Sequence, residues 1–171
     1  MAAEGELEVR DARDDERDVV AALTLRAYAE YATVMAPAAW AGLAGAVRAA
    51  LAATGDAERI VAVHAGRIVG SVLLYPPEVE AYGDLAKRAS WPEVRLLAVA
   101  PEARGLGIGR ALMDECVRRA RRAGASALGL HTSASMRAAM ALYERMGFVR
   151  SPEHDFQPPG AELVEGYRLP L

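Results

Sequence analysis

A chain of 171 residues with 53% hydrophobic and 25% charged residues is long enough to bury a core and too apolar to be disordered. A formal net charge of −3 argues against a nucleic-acid partner, and the single cysteine, Cys116, excludes an internal disulfide. The chain shows no membrane-length apolar run and no secretory leader, so we expect one cytoplasmic domain over residues 1–171 with no membrane contact. A homodimer is left open.

The first half of the chain predicts a strand, two helices and a hairpin. Asp14 or Asp15 can cap the first helix, and Pro37 suits the first turn of the second. The tripeptide Ala65-Gly66-Arg67 separates two apolar runs and predicts the hairpin turn, whereas the segment 78–90 is irregular. The predicted elements are a strand at 7–10, helices at 17–31 and 37–53, and strands at 60–64 and 68–74.

The most informative feature follows, where an apolar strand runs into a glycine-rich helix start. Residues 96–100 are almost continuously apolar, as expected of a strand buried on both faces, and Pro101 ends them. Three alternating glycines lead into a helix over 107–122: Gly105, Gly107 and Gly109. Glycine lets the backbone approach a ligand, and unpaired amides at a helix start favour an anion. We therefore expect a phosphate cradle here.

The glycine spacing separates this cradle from the two commonest ones. A dinucleotide fingerprint would need its last glycine at Arg110 or Leu112, and a P-loop needs Gly-Lys-Ser/Thr, whereas the only lysine is Lys87. The pattern is instead R-x-x-G-x-G, from Arg104 to Gly109. An ordinary strand–turn–helix connection is the alternative, but each glycine would cost roughly 0.5–1 kcal/mol relative to alanine if it lay within the helix.

The second half predicts a further strand and helix and two late strands. Ser133 or Ser135 can cap the helix, and Gly147 ends it. The predicted elements are a strand at 127–132, a helix at 136–146, and strands at 148–150 and 163–169. The whole order is β-α-α-β-β-β-α-β-α-β-β, which indicates an α/β fold with a mixed sheet and a parallel crossover unit.

Two motifs resemble the GNAT superfamily of N-acetyltransferases. Arg104-Gly-Leu-Gly-Ile-Gly109 matches the signature [RQ]-x-x-G-x-[GA], and Ala-Leu-Tyr143-Glu-Arg-Met-Gly147-Phe148 looks like the second motif, A-x-x-L-Y-x-x-x-G-F. The resemblance implies a single GNAT-like domain, with a mixed, mostly antiparallel sheet of six to seven strands and about four flanking helices. It also implies acetyl-CoA as co-substrate, and the scattered histidines suggest no metal.

The resemblance assigns the coenzyme to residues 104–110, called the glycine bend below, and to the strand before them. The backbones of Leu97 and Val99 would bind the pantetheine arm, with the Val99 amide also serving as oxyanion donor. Bend amides would bind the pyrophosphate, namely those of Arg104, Gly105, Gly107, Ile108, Gly109 and Arg110. Met136 stands where many members carry an asparagine that contacts CoA, so that contact is lost or comes from Ser133 or Ser135.

Tyr143 and Glu93 are the candidate catalytic residues. The family places the tyrosine hydroxyl near the thioester sulfur, where a phenol of pKa about 10 can protonate the leaving thiolate. Many members carry a glutamate at the position of Glu93, which accepts the proton of the amine. A core tyrosine and a solvated or Arg95-paired glutamate are the alternatives. Strand alternation puts four side chains on one face: Glu93, Arg95, Leu97 and Val99.

The resemblance alone locates the acceptor site, between the first two helices, the segment before Glu93 and the late loop. The residues assigned to it are Tyr28, Tyr31, Trp91 and His131, with Trp40, Glu153 and Asp155 also available there. His131 is in addition a candidate second base, although a strand histidine that faces the core is the alternative.

Together these residues predict an N-acyltransferase that transfers an acetyl group from acetyl-CoA to a primary amine by direct attack in a ternary complex. The acceptor is a small molecule or a peptide that the sequence does not identify. Cys116 shares a helix face with Leu112 and Ile108, so we expect a core thiol and no covalent acyl-enzyme. Two alternatives stay open: a non-catalytic acyl-CoA-binding sensor or interaction module, and an α/β domain for another phosphorylated ligand.

Overall fold

The helices and strands follow the order that the sequence predicts. The computed structural model of the chain describes residues 5–53, 55–79 and 87–171. Residues 80–86 of the segment predicted to be irregular lie outside this description. The elements are β1 (Glu8–Asp11), α1 (Arg17–Tyr28), α2 (Pro37–Ala52), β2 (Glu58–His64), β3 (Arg67–Tyr75), β4 (Glu93–Val99), α3 (Ile108–Arg122), β5 (Ala127–Ser133), α4 (Arg137–Met146), β6 (Val149–Arg150) and β7 (Val164–Pro170).

The seven strands form one sheet in the order β1-β2-β3-β4-β5-β7-β6. Only β4 and β5 pair in parallel, and every other neighbouring pair is antiparallel, as predicted. One face packs against α1 and α2 through a cluster that includes Val20, Val47 and Leu73. The other face packs against α3 and α4, where Leu112 and Tyr143 join the larger core cluster. The sheet therefore has helices on both faces.

Strands β4 and β5 separate soon after they meet. Their pairing is limited to Glu93 with Gly129 and Val94 with Leu130. Beyond these two pairs, β4 stays bound to β3, and β5 stays bound to β7 up to Ser133. The sheet therefore opens between the two central strands, and backbone groups of β4 face a gap where a neighbouring strand would otherwise bind them.

A bulge at Leu96 interrupts β4. The φ angle of Leu96 is +53°, which is uncommon for a residue with a side chain. Arg95 pairs with Leu73, whereas Ala98, three residues further along, pairs with Ser71, only two residues back on β3. One residue of β4 is therefore extra, and the regular alternation of side chains ends at this point.

The bulge divides the predicted site residues of β4 between the two faces of the sheet. Leu73 packs in the cluster under α1 and α2, so its partner Arg95, and with it Glu93, face these helices. A side chain at Gly70 would lie 2.8 Å from the first residue of α3, so its partner Val99 faces α3. The prediction that Glu93, Arg95, Leu97 and Val99 share one face is wrong for this reason.

The start and the end of α1 differ from the prediction. The helix ends at Tyr28 and continues as a 3-10 turn, where the prediction had carried it to residue 31. The predicted capping by Asp14 or Asp15 is also wrong, because both lie in a 3-10 turn before the helix and no side chain caps its start. Glu16, the next residue, accepts a hydrogen bond from the Arg13 amide at 2.8 Å.

The start of α4 is held by the backbone. Its first residue follows Met136, whose amide donates to the carbonyl oxygen of Ser133 at 2.9 Å, and no side chain caps the helix. The hydroxyl of Ser133 instead donates to Glu162 at 2.8 Å. The prediction that Ser133 or Ser135 caps this helix is therefore wrong.

Two further findings concern residues 5–53, 55–79 and 87–171 as a whole. No helix in these ranges combines the length and the apolar composition that a membrane span requires. The same ranges contain no group of three or more histidine, cysteine, aspartate or glutamate side chains arranged to hold a metal ion.

Candidate functional site

The glycine bend after β4 presents free backbone amides. Gly105 and Gly107 have φ angles of +80° and +75°, which only glycine adopts without strain. The first helical bond of α3 runs from the Ala111 amide to the Gly107 carbonyl. Three amides precede that bond and have no acceptor within the helix, namely those of Ile108, Gly109 and Arg110. This arrangement at a helix N-terminus suits an anion such as a phosphate.

The two arginines of the bend are exposed and already paired with carboxylates. Arg104 donates to Glu30 at 2.5 Å and to the carbonyl oxygen of Ala27 at 3.4 Å, so it links the bend to the end of α1. Arg110 donates to Asp114 one turn further along α3, at 3.0 Å. The backbone amides at the start of α3, by contrast, have no acceptor within the helix.

A cavity of about 610 Å³ occupies the gap between β4 and β5 and extends along α2. Six of the predicted site residues line it: Tyr28, Tyr31, Leu97, His131, Ser133 and Tyr143. Val99 lies next to this gap with its backbone. Because the Ala100 amide donates to Val69 of β3 at 2.8 Å, the preceding amide, that of Val99, points to the opposite edge, where β5 has separated.

Tyr143 reaches the cavity from α4. Its ring is 7% exposed and packs against Phe148, with 5.7 Å between the ring centres. The residue thus contributes to the core and at the same time lines the cavity, so the two interpretations of this tyrosine are compatible. A methyl group built on Gly109 would lie 3.5 Å from Leu142, which puts the cradle and the Tyr143 helix side by side.

Glu93 lies on the opposite face of the sheet, beside His131. Its carboxylate is largely buried, and its Oε2 is 3.6 Å from Nδ1 of His131. The Nε2 atom of the same imidazole is 2.8 Å from the backbone carbonyl oxygen of His154. A carbonyl only accepts, so Nε2 carries the proton, and a neutral His131 presents an unprotonated Nδ1 to the carboxylate.

The turn at Pro152–His154 contacts His131, the neighbour of Glu93, through the carbonyl oxygen of His154. The His154 ring is buried, and burial lowers its pKa. Its Nδ1 atom forms a hydrogen bond with Ser151 Oγ at 2.9 Å. Trp91 packs against this ring at a tilt of 57°, with 5.1 Å between the ring centres, and covers Gly129, where a side chain would collide with the indole. Trp91 thus packs over β5 beside Glu93 and is not among the described residues that line the cavity.

The other predicted acceptor residues divide into two groups. Tyr28 and Tyr31 pack edge to face at 5.5 Å, and both line the cavity. Asp155 is engaged elsewhere, since it binds both terminal nitrogens of Arg150 at 2.7 Å and accepts the Gly166 amide. Ser135, predicted as a coenzyme contact, is half-buried at the turn before α4 and does not line the cavity within the described chain.

The sequence does not mark every polar group of the cavity. Thr132 lines it and is 2% exposed, and its hydroxyl has no hydrogen-bond partner among the described residues. A buried hydroxyl without a partner costs about 1–3 kcal/mol, which a bound ligand could recover. Arg95 also lines the cavity, with its guanidinium 5.8 Å from the centre of the Tyr75 ring. Neither position belongs to a motif.

Comparison with protein families agrees with this geometry. The sequence model of the Acetyltransferase (GNAT) family matches residues 17–148, which is more than half of the chain. The chain therefore belongs to the GNAT acetyltransferase family, and the predicted superfamily and fold are confirmed.

Curated relatives match parts of the chain. It is 43% identical over 58 residues to a mycothiol acetyltransferase of Paenarthrobacter aurescens (strain TC1), which covers 34% of this chain and 18% of that protein. It is 35% identical over 109 residues to an IAA acetyltransferase of Azospirillum brasilense, which covers 63% of this chain and 65% of that protein. The chain thus spans less than a fifth of the first relative and less than two thirds of the second.

Solved structures share the fold over nearly the whole length. A GCN5-related N-acetyltransferase from Rhodopseudomonas palustris superimposes with a TM-score of 0.71 at 18% identity, over 100% of this chain and 99% of that one. A ribosomal-protein-S18-alanine N-acetyltransferase from Escherichia coli gives a TM-score of 0.64 at 19% identity, over 96% and 94%. At these identities the likeness concerns the fold alone.

The GNAT family generally uses acetyl-CoA, and the residues of this chain fit that co-substrate. The bend supplies amides without a helical acceptor for a diphosphate, and the parted edge of β4 supplies backbone groups for an extended arm. The unpartnered hydroxyl of Thr132 lies in the same cavity. Each of these groups has hydrogen-bonding capacity that the described protein does not use.

Proposed function

We propose that this chain is an N-acetyltransferase that transfers the acetyl group of acetyl-CoA directly to a primary amine in a ternary complex. The observation that carries the proposal is the opening between β4 and β5, which holds a cavity lined by Tyr143 and by His131, the neighbour of Glu93, and which lies beside the strand that leads into the anion cradle. Acetyl-CoA supplies an activated thioester, and the chain supplies orientation and proton transfer.

The residues take three roles in this proposal. Glu93, together with His131, accepts a proton from the amine, because an ammonium has no lone pair for attack. The Val99 amide donates to the acyl oxygen as negative charge develops on it. Tyr143 gives a proton to the departing sulfur. The bulge at Leu96 supports this division, since it leaves Glu93 facing α1 and α2 while the cradle and Tyr143 lie on the other face.

Direct transfer is supported by the state of the one thiol. Cys116 is fully buried in α3, and burial raises its pKa to about 12, so it is a poor nucleophile at neutral pH. We therefore expect initial rates that fit a sequential mechanism. Parallel lines in double-reciprocal plots, the pattern of a covalent acyl-enzyme, would contradict direct transfer.

Two measurements test the proposed function. Acetyl-CoA at one hundred times its Kd should add about 2.7 kcal/mol of stability and raise the Tm by roughly 5–10 °C, whereas adenosine diphosphate should add less. Thiol release with a panel of primary amines then measures turnover. Stabilisation by acetyl-CoA without thiol release would favour the alternative, a non-catalytic acyl-CoA sensor, and no stabilisation would overturn both.

A further inference from the structure

The cavity extends along α2, and this part of it is called the branch below. On α2 the branch is lined at spacings of three and four residues by small or medium side chains: Ala39, Gly42, Leu43 and Ala46. Tyr28, Tyr31 and Leu96 of the bulge also line the cavity. These walls are apolar, so the branch favours an apolar group over a polar one.

The charges around the branch argue against a second cationic group. Among the described lining residues, the charged side chains are Arg95 and Glu162, in addition to the titratable His131. Glu162 accepts a bond from Ser133, and Arg95 lies above the ring of Tyr75, so the two side chains are opposite in charge and supply no net attraction for a cation. A second ammonium group in the branch would lose its hydration against an apolar wall.

The position of the proton-accepting pair decides which reactant the branch holds. Glu93 and Arg95 face α1 and α2, whereas the cradle and Tyr143 lie on the opposite face of the sheet. Of the Glu93–His131 pair, His131 lines the cavity, so an amine that gives its proton to this pair approaches through the cavity, and the group attached to it extends into the branch along α2. The buried, unpartnered hydroxyl of Thr132 in the same cavity independently indicates a bound ligand.

We propose that the preferred acceptor is a monocationic primary amine carrying an apolar aryl or alkyl group, which packs against Gly42 and Ala46 of α2. This inference rests on the proposed function and adds the substrate class to it. A polyamine or a lysine side chain with neighbouring charges fits the branch poorly.

The chain offers a matched pair of glycines for the test. Gly42 and Gly45 are both exposed residues of α2, and a side chain built at either one has no neighbour within 4 Å. Only Gly42 lines the cavity. Leucine at either position should raise helix propensity by a similar amount, roughly 1 kcal/mol, so folding is expected to survive both changes.

The experiment measures thiol release from acetyl-CoA with 2-phenylethylamine, ethylamine and 1,4-diaminobutane. The unmodified protein should show a kcat/KM at least tenfold higher for 2-phenylethylamine than for the diamine. Gly42→Leu should lower kcat/KM for 2-phenylethylamine at least tenfold and leave ethylamine within twofold, and Gly45→Leu should change neither.

Four outcomes would overturn the inference. A preference for the diamine, or an equal effect of Gly42→Leu on both monoamines, would rule out an apolar amine as the preferred acceptor. Neither result would contradict the proposed N-acetyl transfer. If Gly42→Leu instead impaired only hexanoyl-CoA and not acetyl-CoA with ethylamine as acceptor, the branch would hold the acyl chain. Absence of thiol release with every amine would overturn the proposed function together with this inference.

Discussion

Nδ1 of His131 faces the carboxylate of Glu93 at 3.6 Å, while Nε2 of the same ring is fixed on the carbonyl oxygen of His154 at 2.8 Å. Because that carbonyl can only accept, the ring has one nitrogen left for Glu93. Nδ1 of His131 and the carboxylate of Glu93 are then two hydrogen-bond acceptors side by side, an arrangement suited to bind an N–H donor such as an amine.

Glu93→Gln should lower turnover at neutral pH at least about tenfold, because the amide keeps the shape of the side chain but cannot accept a proton. The loss should shrink as the pH approaches the pKa of a free amine, about 10, because the acceptor is then largely unprotonated and no longer needs a base. Rates of thiol release between pH 6.5 and 10 measure this. Glu162→Gln, which removes the carboxylate that lines the cavity, is the control, and a full rate for Glu93→Gln at neutral pH would exclude Glu93 as base.

Tyr143→Phe should lower turnover at least about tenfold with acetyl-CoA affinity unchanged, because only the hydroxyl is lost and the ring keeps its packing on Phe148. Tyr167→Phe is the matched control, since Tyr167 is buried in the same core cluster but does not line the cavity among the described residues. Thiol release and calorimetric titration separate the two effects. Equal rates for the Tyr143 and Tyr167 variants would remove the phenol from the mechanism.

Gly109→Ala tests whether the third glycine of the bend serves the ligand or the fold. A methyl group there would lie 3.5 Å from Leu142 and 3.7 Å from Val99, which are ordinary contacts. Alanine within α3 should therefore keep or raise stability, by up to about 1 kcal/mol. If the backbone must approach a coenzyme closely, acetyl-CoA affinity should fall at least tenfold.

Gly45→Ala provides the control for that change, because it gives α2 the same gain in helix propensity far from the bend. Chemical unfolding and calorimetric titration of both variants give the comparison. Undiminished affinity in Gly109→Ala would show that this glycine is dispensable for coenzyme binding.

The order of the elements could be predicted because each local signal agrees with the fold. Apolar runs, the Ala65–Gly66 turn with its positive φ angles, and the glycine bend each depend on a few neighbouring residues. The same holds for the cradle and for Tyr143, since both lie in motifs. The role of Glu93 could be predicted only from the family resemblance, because a glutamate at the start of a strand belongs to no local motif.

Other features depend on contacts between distant segments and could not be predicted. The positive φ of Leu96 follows from its pairing with β3, and it inverts the predicted face of Val99. The branch along α2 is lined by residues of α1, α2 and β4, which are distant in sequence, and Gly42 itself belongs to no motif. The hydroxyl of Thr132 follows His131 on a strand, and nothing in the local sequence shows that it lacks a partner.

Cys116 should not react with thiol reagents in the folded protein. It is fully buried, and burial raises the pKa of its thiol to about 12, so almost no thiolate is present at pH 7. An aromatic disulfide reagent should label it only at the rate of unfolding, with fast labelling in denaturant as the control. Rapid labelling of the native protein would contradict this burial and would reopen a covalent acyl-enzyme.

Glu16 should make folding stability depend on pH in the acid range. It accepts two hydrogen bonds from Arg10, at 2.8 and 2.9 Å, and one from the Arg13 amide, and these hold its pKa at about 2, below its ordinary value of 4.5. A lowered folded-state pKa means that the ionised form stabilises the fold, fully above pH 4.5 and progressively less as the pH falls towards 2.

Glu16→Gln should therefore destabilise the protein at pH 7 by about 1–3 kcal/mol, and the difference from the unmodified chain should narrow between pH 4.5 and 2. Urea unfolding at several pH values measures this free energy. Asp15→Asn is the control, since Asp15 is exposed and its nearest cation, Arg13, lies at 3.6 Å, so its loss should cost less than about 1 kcal/mol. A pH-independent difference for Glu16→Gln would mean that its carboxylate charge contributes nothing to the fold.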